Sequence, residues 1–210
     1  MAISKIVTNS VASGVTLTSP TLVTPVLSGS VTGTYTLAGT GTLSSPIISG
    51  TPTGVGVLTS GTAVASTSGT SIDFTGIPSW VKRVTVMFNG VSTNGASYVQ
   101  VQLGAGSVTT SGYSSASGIF YSSSAQNSNA TTGFHLVAAS SACIRFGLMT
   151  ITNITSNTWV SSHSIGDYGA GVIYGGGGSL ALGGTLDRAR ITTVNGTDTF
   201  DAGSINILYE

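Results

Sequence analysis

The chain has 210 residues, with six Lys or Arg against six Asp or Glu and a formal net charge of zero. Charged residues are 6% of the total, against about 25% in an average globular protein. No basic stripe is available to neutralise phosphates, which argues against a nucleic-acid partner, and no run approaches the ~20 apolar residues that a membrane span needs.

Ser, Thr and Gly number 33, 32 and 30. Such richness accompanies disorder when net charge is high and hydropathy low. Here the mean hydropathy is +0.39, and Val, Ile and Leu are spread along the whole chain, so many short strands joined by Gly-rich turns are expected.

Residues 1–61 form the first expected segment. From Ile6 to Ile72 there is no Asp, Glu, Lys, Arg or His. Charge keeps soluble segments apart and blunts strand edges, so a stretch without any is expected to have its surface consumed by a partner. The stretch is weakly repetitive: Thr16-Leu17-Thr18-Ser19-Pro20 returns as Thr42-Leu43-Ser44-Ser45-Pro46, and Val26-Leu27-Ser28-Gly29 as Ile47-Ile48-Ser49-Gly50. Pro20, Pro25, Pro46 and Pro52 each follow Ser or Thr, as at strand edges and corners. Short extended units of this kind bury too little alone. Wrapped about an axis with identical chains, they would give Leu17, Leu22, Val26, Leu27, Tyr35, Leu37, Leu43, Ile47 and Ile48 an interior. An extended β stem that trimerises the chain is therefore expected, with a low-complexity linker as the alternative. Met1 to Ile6 lacks the apolar core of a signal peptide.

Residues 62–210 are expected to form an antiparallel, jelly-roll-like β-sandwich of about 8–10 strands. Apolar residues alternate at Val84, Val86 and Phe88, at Val99, Val101 and Leu103, at Phe134 and Leu136, at Ile144, Phe146 and Leu148, and at Ile205, Ile207 and Tyr209. Period 2 implies one buried and one wet face. Turns are expected at Asn89-Gly90, Asn94-Gly95, Gly175 to Gly178 and Asn195-Gly196. Lys82-Arg83 and Arg188-Arg190 read as strand charges facing water.

The chemistry that enzymes use is sparse. The acids are Asp73, Asp167, Asp187, Asp198, Asp201 and Glu210, and the histidines are His135 and His163. No Gly-x-Ser-x-Gly elbow marks a nucleophile, and the glycines at 175–178 run into Ser179-Leu180 without the Lys of a phosphate loop. The single cysteine, Cys143, reads as a buried small hydrophobe in a strand and forms no intrachain disulfide. Asp198 and Asp201 are too few oxygens for calcium. A non-enzymatic chain without metal or cofactor is expected. Surface recognition is better served: Tyr113, Phe120, Tyr121, Trp159, Tyr168 and Tyr174 lie in or beside Gly/Ser-rich stretches, where aromatics stack on sugars or anchor protein contacts, or else fill the core.

Two stretches resemble a known family. Ser71-Ile72-Asp73-Phe74-Thr75-Gly76-Ile77-Pro78-Ser79-Trp80-Val81-Lys82-Arg83-Val84-Thr85-Val86 is similar to the opening of a module common in bacteriophage tail-fibre-like proteins, an apolar strand, a Gly-Ile-Pro turn and a strand of the form Val-Lys-Arg-Val-x-Val. Asp187-Arg188-Ala189-Arg190-Ile191-Thr192-Thr193, with Gly196-Thr197-Asp198-Thr199-Phe200-Asp201-Ala202-Gly203-Ser204-Ile205-Asn206-Ile207, resembles its closing strands, and the Ser/Thr-Pro repeats look like fibre stems. The resemblance implies a structural virion protein, typically a homotrimer, and supplies no catalytic residues. It leads to the expectation of a short tail fibre or spike in the virion. The N-terminal segment would bind other virion proteins, and the β-domain a host-surface glycan or protein. A capsid decoration protein or head fibre is the alternative.

Overall fold

The computed structural model describes residues 58–120, 126–137 and 140–210. The stem residues Leu17 to Ile48 and the loop residue Tyr121 lie outside the described residues. All described elements are strands, paired antiparallel throughout, in two sheets.

The larger sheet contains β1 (Thr59–Ser60), β2 (Val64–Ala65), β4 (Arg83–Thr93), β7 (Ser114–Phe120), β8 (Gln126–Ala130), β10 (Arg145–Thr155), β11 (Thr158–Asp167), β12 (Val172–Ala181) and β14 (Phe200–Tyr209). Its order is β1-β14-β4-β10-β11-β12-β7-β8, with β2 also on β14. The smaller sheet contains β3 (Ser71–Thr75), β5 (Val99–Ala105), β6 (Ser107–Val108), β9 (Phe134–Leu136) and β13 (Arg188–Thr193). Its order is β3-β13-β5-β6, with β9 also on β5.

One hydrophobic core lies between the sheets. Val84, Val86 and Phe88 of β4, Ile205 and Ile207 of β14, and Met149 and Ile151 of β10 meet Val99, Val101 and Leu103 of β5 and Ala189 and Ile191 of β13. Alternation thus places the apolar set of most strands inward, as the pleat requires. The charge-free stretch runs on into the sheet, because Thr59 and Ser60 pair with Tyr209 and Leu208. The two stretches that carry the family resemblance also pair with each other, β3 with β13 in the smaller sheet and β4 with β14 in the larger.

Several sequence expectations are corrected. Gly175 to Gly178 are not a hairpin loop but the middle of β12, paired to β11 and β7 on either side. Tight packing explains the run. A Cβ on Gly176 would sit 2.5 Å from the Ala116 carbonyl oxygen and 2.6 Å from His163 Cε1, and one on Gly178 would meet Ser114 O at 2.6 Å and Phe134 Cδ1 at 3.0 Å. Asn89-Gly90 is not a turn either. It lies inside β4, where Gly90 takes φ 65° and is the extra residue of a bulge opposite the Arg145–Phe146 step.

β10 faces the opposite way from its apolar pattern. Phe146 and Leu148 point to solvent, while Arg145, Met149 and Ile151 are buried. Arg145 is placed inward directly opposite Asp167, its register partner on β11. The polar positions between the apolar ones on β5 and β9 are covered as well. Gln100, Gln102 and His135 are buried, with Gln102 Nε2 donating to Thr132 O at 2.8 Å and Thr132 Oγ1 to Gln100 Oε1 at 2.9 Å. Cys143 is buried, in the loop before β10 rather than in a strand.

Candidate recognition surface

The six aromatics singled out by sequence divide sharply. Tyr113, Trp159 and Tyr174 are buried core residues, so their rings are not presented at the surface. Tyr113 packs edge-on against Phe134, with ring centroids 5.0 Å apart, and its hydroxyl accepts from Leu103 N–H at 2.7 Å. Burial pushes its pKa well up. Trp159 and Tyr174 occupy inward positions of β11 and β12. Large rings in a small-residue sheet supply apolar area that Ser and Gly cannot, which is why these three went inside.

Phe120 and Tyr168 remain outside, 72% and 82% exposed. Phe120 ends β7, opposite Ile173 of β12, which is opposite Gly166 of β11, which is opposite Phe146 of β10. Directly opposed residues share a face, so Phe120, Ile173 and Phe146 form one transverse row on the solvent side of the larger sheet. At about 4.8 Å per strand the row spans roughly 14 Å. Tyr168 stands in the turn between β11 and β12, beside the same end of the sheet. Sequence reasoning missed Ile173 and Phe146. Ile173 stands between two core-type residues, and Phe146 sat in the part of the pattern read with the wrong face.

A buried polar cluster holds that end in place. Asp167 Oδ1 accepts from the N–H groups of Ile144 and Gly169, both at 2.9 Å, and of Ala170 at 3.2 Å. The Tyr174 hydroxyl donates to Asp167 Oδ2. Burial raises the Asp167 pKa, but hydrogen bonds from Cys143, Tyr174, Ile144 and Ala170 outweigh it, and the net pKa is lowered. Burial, then the Asp167 contact, raises Tyr174 and Cys143. Arg145 lies fully buried opposite Asp167. The cluster ties the Tyr168 turn to β10 through side-chain and backbone bonds, so the exposed ring stands on a fixed base.

One pairing resembles catalytic chemistry and lacks its other parts. Ser117 Oγ lies 3.1 Å from His163 Nε2. Both are buried, His163 Nδ1 has no hydrogen-bond partner, and no carboxylate orients the ring. Burial, with His135 nearby, lowers the His163 pKa to about 4, so the ring is neutral. Ser117 Oγ also accepts from Val137 N–H at 3.2 Å, bridging the two sheets. The Ser117–His163 bond lies within the larger sheet, across β12 from β7 to β11, and only the Val137 bond reaches the other layer. Alternation on β7 and β11 could have signalled it, but Ser117 is one serine among 33.

Among the described residues, no three His, Cys, Asp or Glu side chains come together as a metal site would need. Asp198 accepts from Ser97 N–H at 2.9 Å and Asn195 Nδ2 at 2.6 Å, closing the loop between β13 and β14, and Asp201 accepts from Ser92. Arg83 pairs with Glu210, Arg188 with Asp187 and Arg190 with Asp73, all at the surface. No protein-family model, curated protein or solved structure matches the chain.

Proposed function

We propose that this chain is a non-enzymatic structural protein of a bacteriophage virion, a short tail fibre or spike whose β-domain touches the host surface. The observation that carries the reading is the pairing of the two fibre-like stretches, β3 with β13 and β4 with β14, as neighbours in the two sheets. Stretches more than 100 residues apart thereby act as one unit, as the opening and closing strands of a single module would. The charge-free residues before Leu58 are the stem, through which copies associate, as a trimer about a common axis, and attach to the virion. The domain is a jelly-roll-like sandwich in this reading. Phe120 and Tyr168 are the recognition aromatics, contacting a glycan or protein on the host by stacking and apolar burial.

Adsorption tests the proposal. Purified full-length chain is expected to bind host cells and slow phage adsorption, and antibody to the β-domain is expected to label the virion tail. Label on the head would assign the chain to capsid decoration instead. Absence of label from the virion would end the proposal.

A further inference from the structure

The solvent side of the larger sheet carries a second apolar area that adjoins the aromatic row, Leu148 lying two residues from Phe146 on the same face of β10, and extends towards β1. Leu58, Leu148 and Leu208 line an open cavity of about 340 Å³ there, with Thr85 between them and Arg83 and Glu210 at its rim. Leu58 is 63% and Leu148 52% exposed. Register places these groups side by side: Leu148 is opposite Met87, and Thr85 is flanked by Leu208 and Thr150. Leucines at the centre with threonines and an ion pair around them match the anatomy of a protein interface, apolar in the middle and polar at the edge. Arg83 and Glu210 neutralise each other, so the rim carries no net charge to repel an identical rim.

Leu58 also fixes where the preceding chain arrives. It lies within the charge-free stretch, as the first of the described residues, and is part of the cavity wall. Copies joined through that stretch bring their Leu58 side chains, and hence these faces, to one place. We infer that the Leu58–Leu148–Leu208 face is buried against a second copy of this chain. The inference rests on the reading of the charge-free residues as the segment that joins copies, and it extends the contact from the stem onto the sheet.

Full-length chains carrying Leu148→Cys, Leu58→Cys or Thr197→Cys separate the two ideas. Thr197 is exposed in the loop between β13 and β14 and serves as the open control, while the native Cys143 is buried. Solution mass, maleimide labelling and interchain disulfide formation under mild oxidation are measured together. An oligomer is expected in which Leu148→Cys labels at least ~10-fold more slowly than Thr197→Cys and in which Leu58→Cys links chains covalently. An oligomer with Leu148→Cys as reactive as the control would overturn the buried face while leaving the stem reading intact. A monomer with a reactive Leu148→Cys would overturn both. A monomer with a protected Leu148→Cys would assign the face to the chain's own upstream residues and so reject the second copy.

Discussion

His163 makes stability depend on pH in a way that can be worked from its surroundings. Its imidazole is buried beside Ser117 and titrates at about 4 rather than at 6.5. The folded pKa is the depressed one, so between these values the unfolded chain holds the proton and the folded chain does not. The stability that His163 contributes is complete above pH 6.5 and lost as pH falls towards 4. At about 1.4 kcal/mol per pK unit, the fall from pH 7 to pH 5 removes about 2 kcal/mol. His135, whose pKa is also lowered by burial, adds a loss of the same sign. Urea unfolding of wild type and His163→Gln at both pH values isolates the His163 part, because Gln does not titrate. The variant is expected to be less stable than wild type at pH 7 but to lose about 2 kcal/mol less on going to pH 5. Equal losses in the two proteins would refute the assignment of a neutral, buried imidazole.

Three further outcomes are expected. Asp167→Ala leaves the buried Arg145 without the carboxylate opposite it and frees three backbone N–H groups, and should cost about 3–5 kcal/mol in thermal or urea unfolding. Because the Asp167 pKa is lowered, its share of wild-type stability is present above the ordinary carboxylate pKa and disappears in acid below it. Gly176→Ala drives a methyl group against the Ala116 carbonyl and should destabilise by about 1–3 kcal/mol, whereas Gly183→Ala, with open space around it, should change stability little. Phe120→Ala and Tyr168→Ala should each change stability by no more than ~0.5 kcal/mol, since both rings are exposed, yet reduce binding to host cells; unchanged cell binding would remove these two residues from the recognition surface.

The larger part of the fold was legible because most strands obey period 2. Val84, Val86 and Phe88 could be assigned inward from their spacing alone, as could Val99, Val101 and Leu103. What was not legible depends on neighbours distant in sequence. Four successive glycines read as a loop because their local meaning is freedom, but in β12 their meaning is the absence of a side chain beneath Phe134, His163 and the β7 backbone. Phe146 and Leu148 outscored Arg145 as core residues until Asp167 was placed opposite the arginine. Half of the six aromatics chosen for recognition went inside, since nothing in a single sequence tells a ring on the inner face of a strand from one on its outer face or on a turn.

The route from Leu58 to Tyr168 has a mechanical consequence. Leu58 leads into β1 at one end of the larger sheet, and Tyr168 stands at the other, about seven residues or ~24 Å away along the strands. Leu58 and Tyr168 are also separated across the sheet, since β1 and β11 lie four strand spacings or roughly 19 Å apart, so a pull between them runs diagonally over β14, β4 and β10. Antiparallel hydrogen bonds lie perpendicular to the strands, so the component of such a pull along the strands loads each ladder in shear, while the transverse component loads it in opening. Under the fibre reading proposed above, tension between the stem and the Tyr168 turn would therefore be shared among several ladders of the larger sheet rather than borne by one.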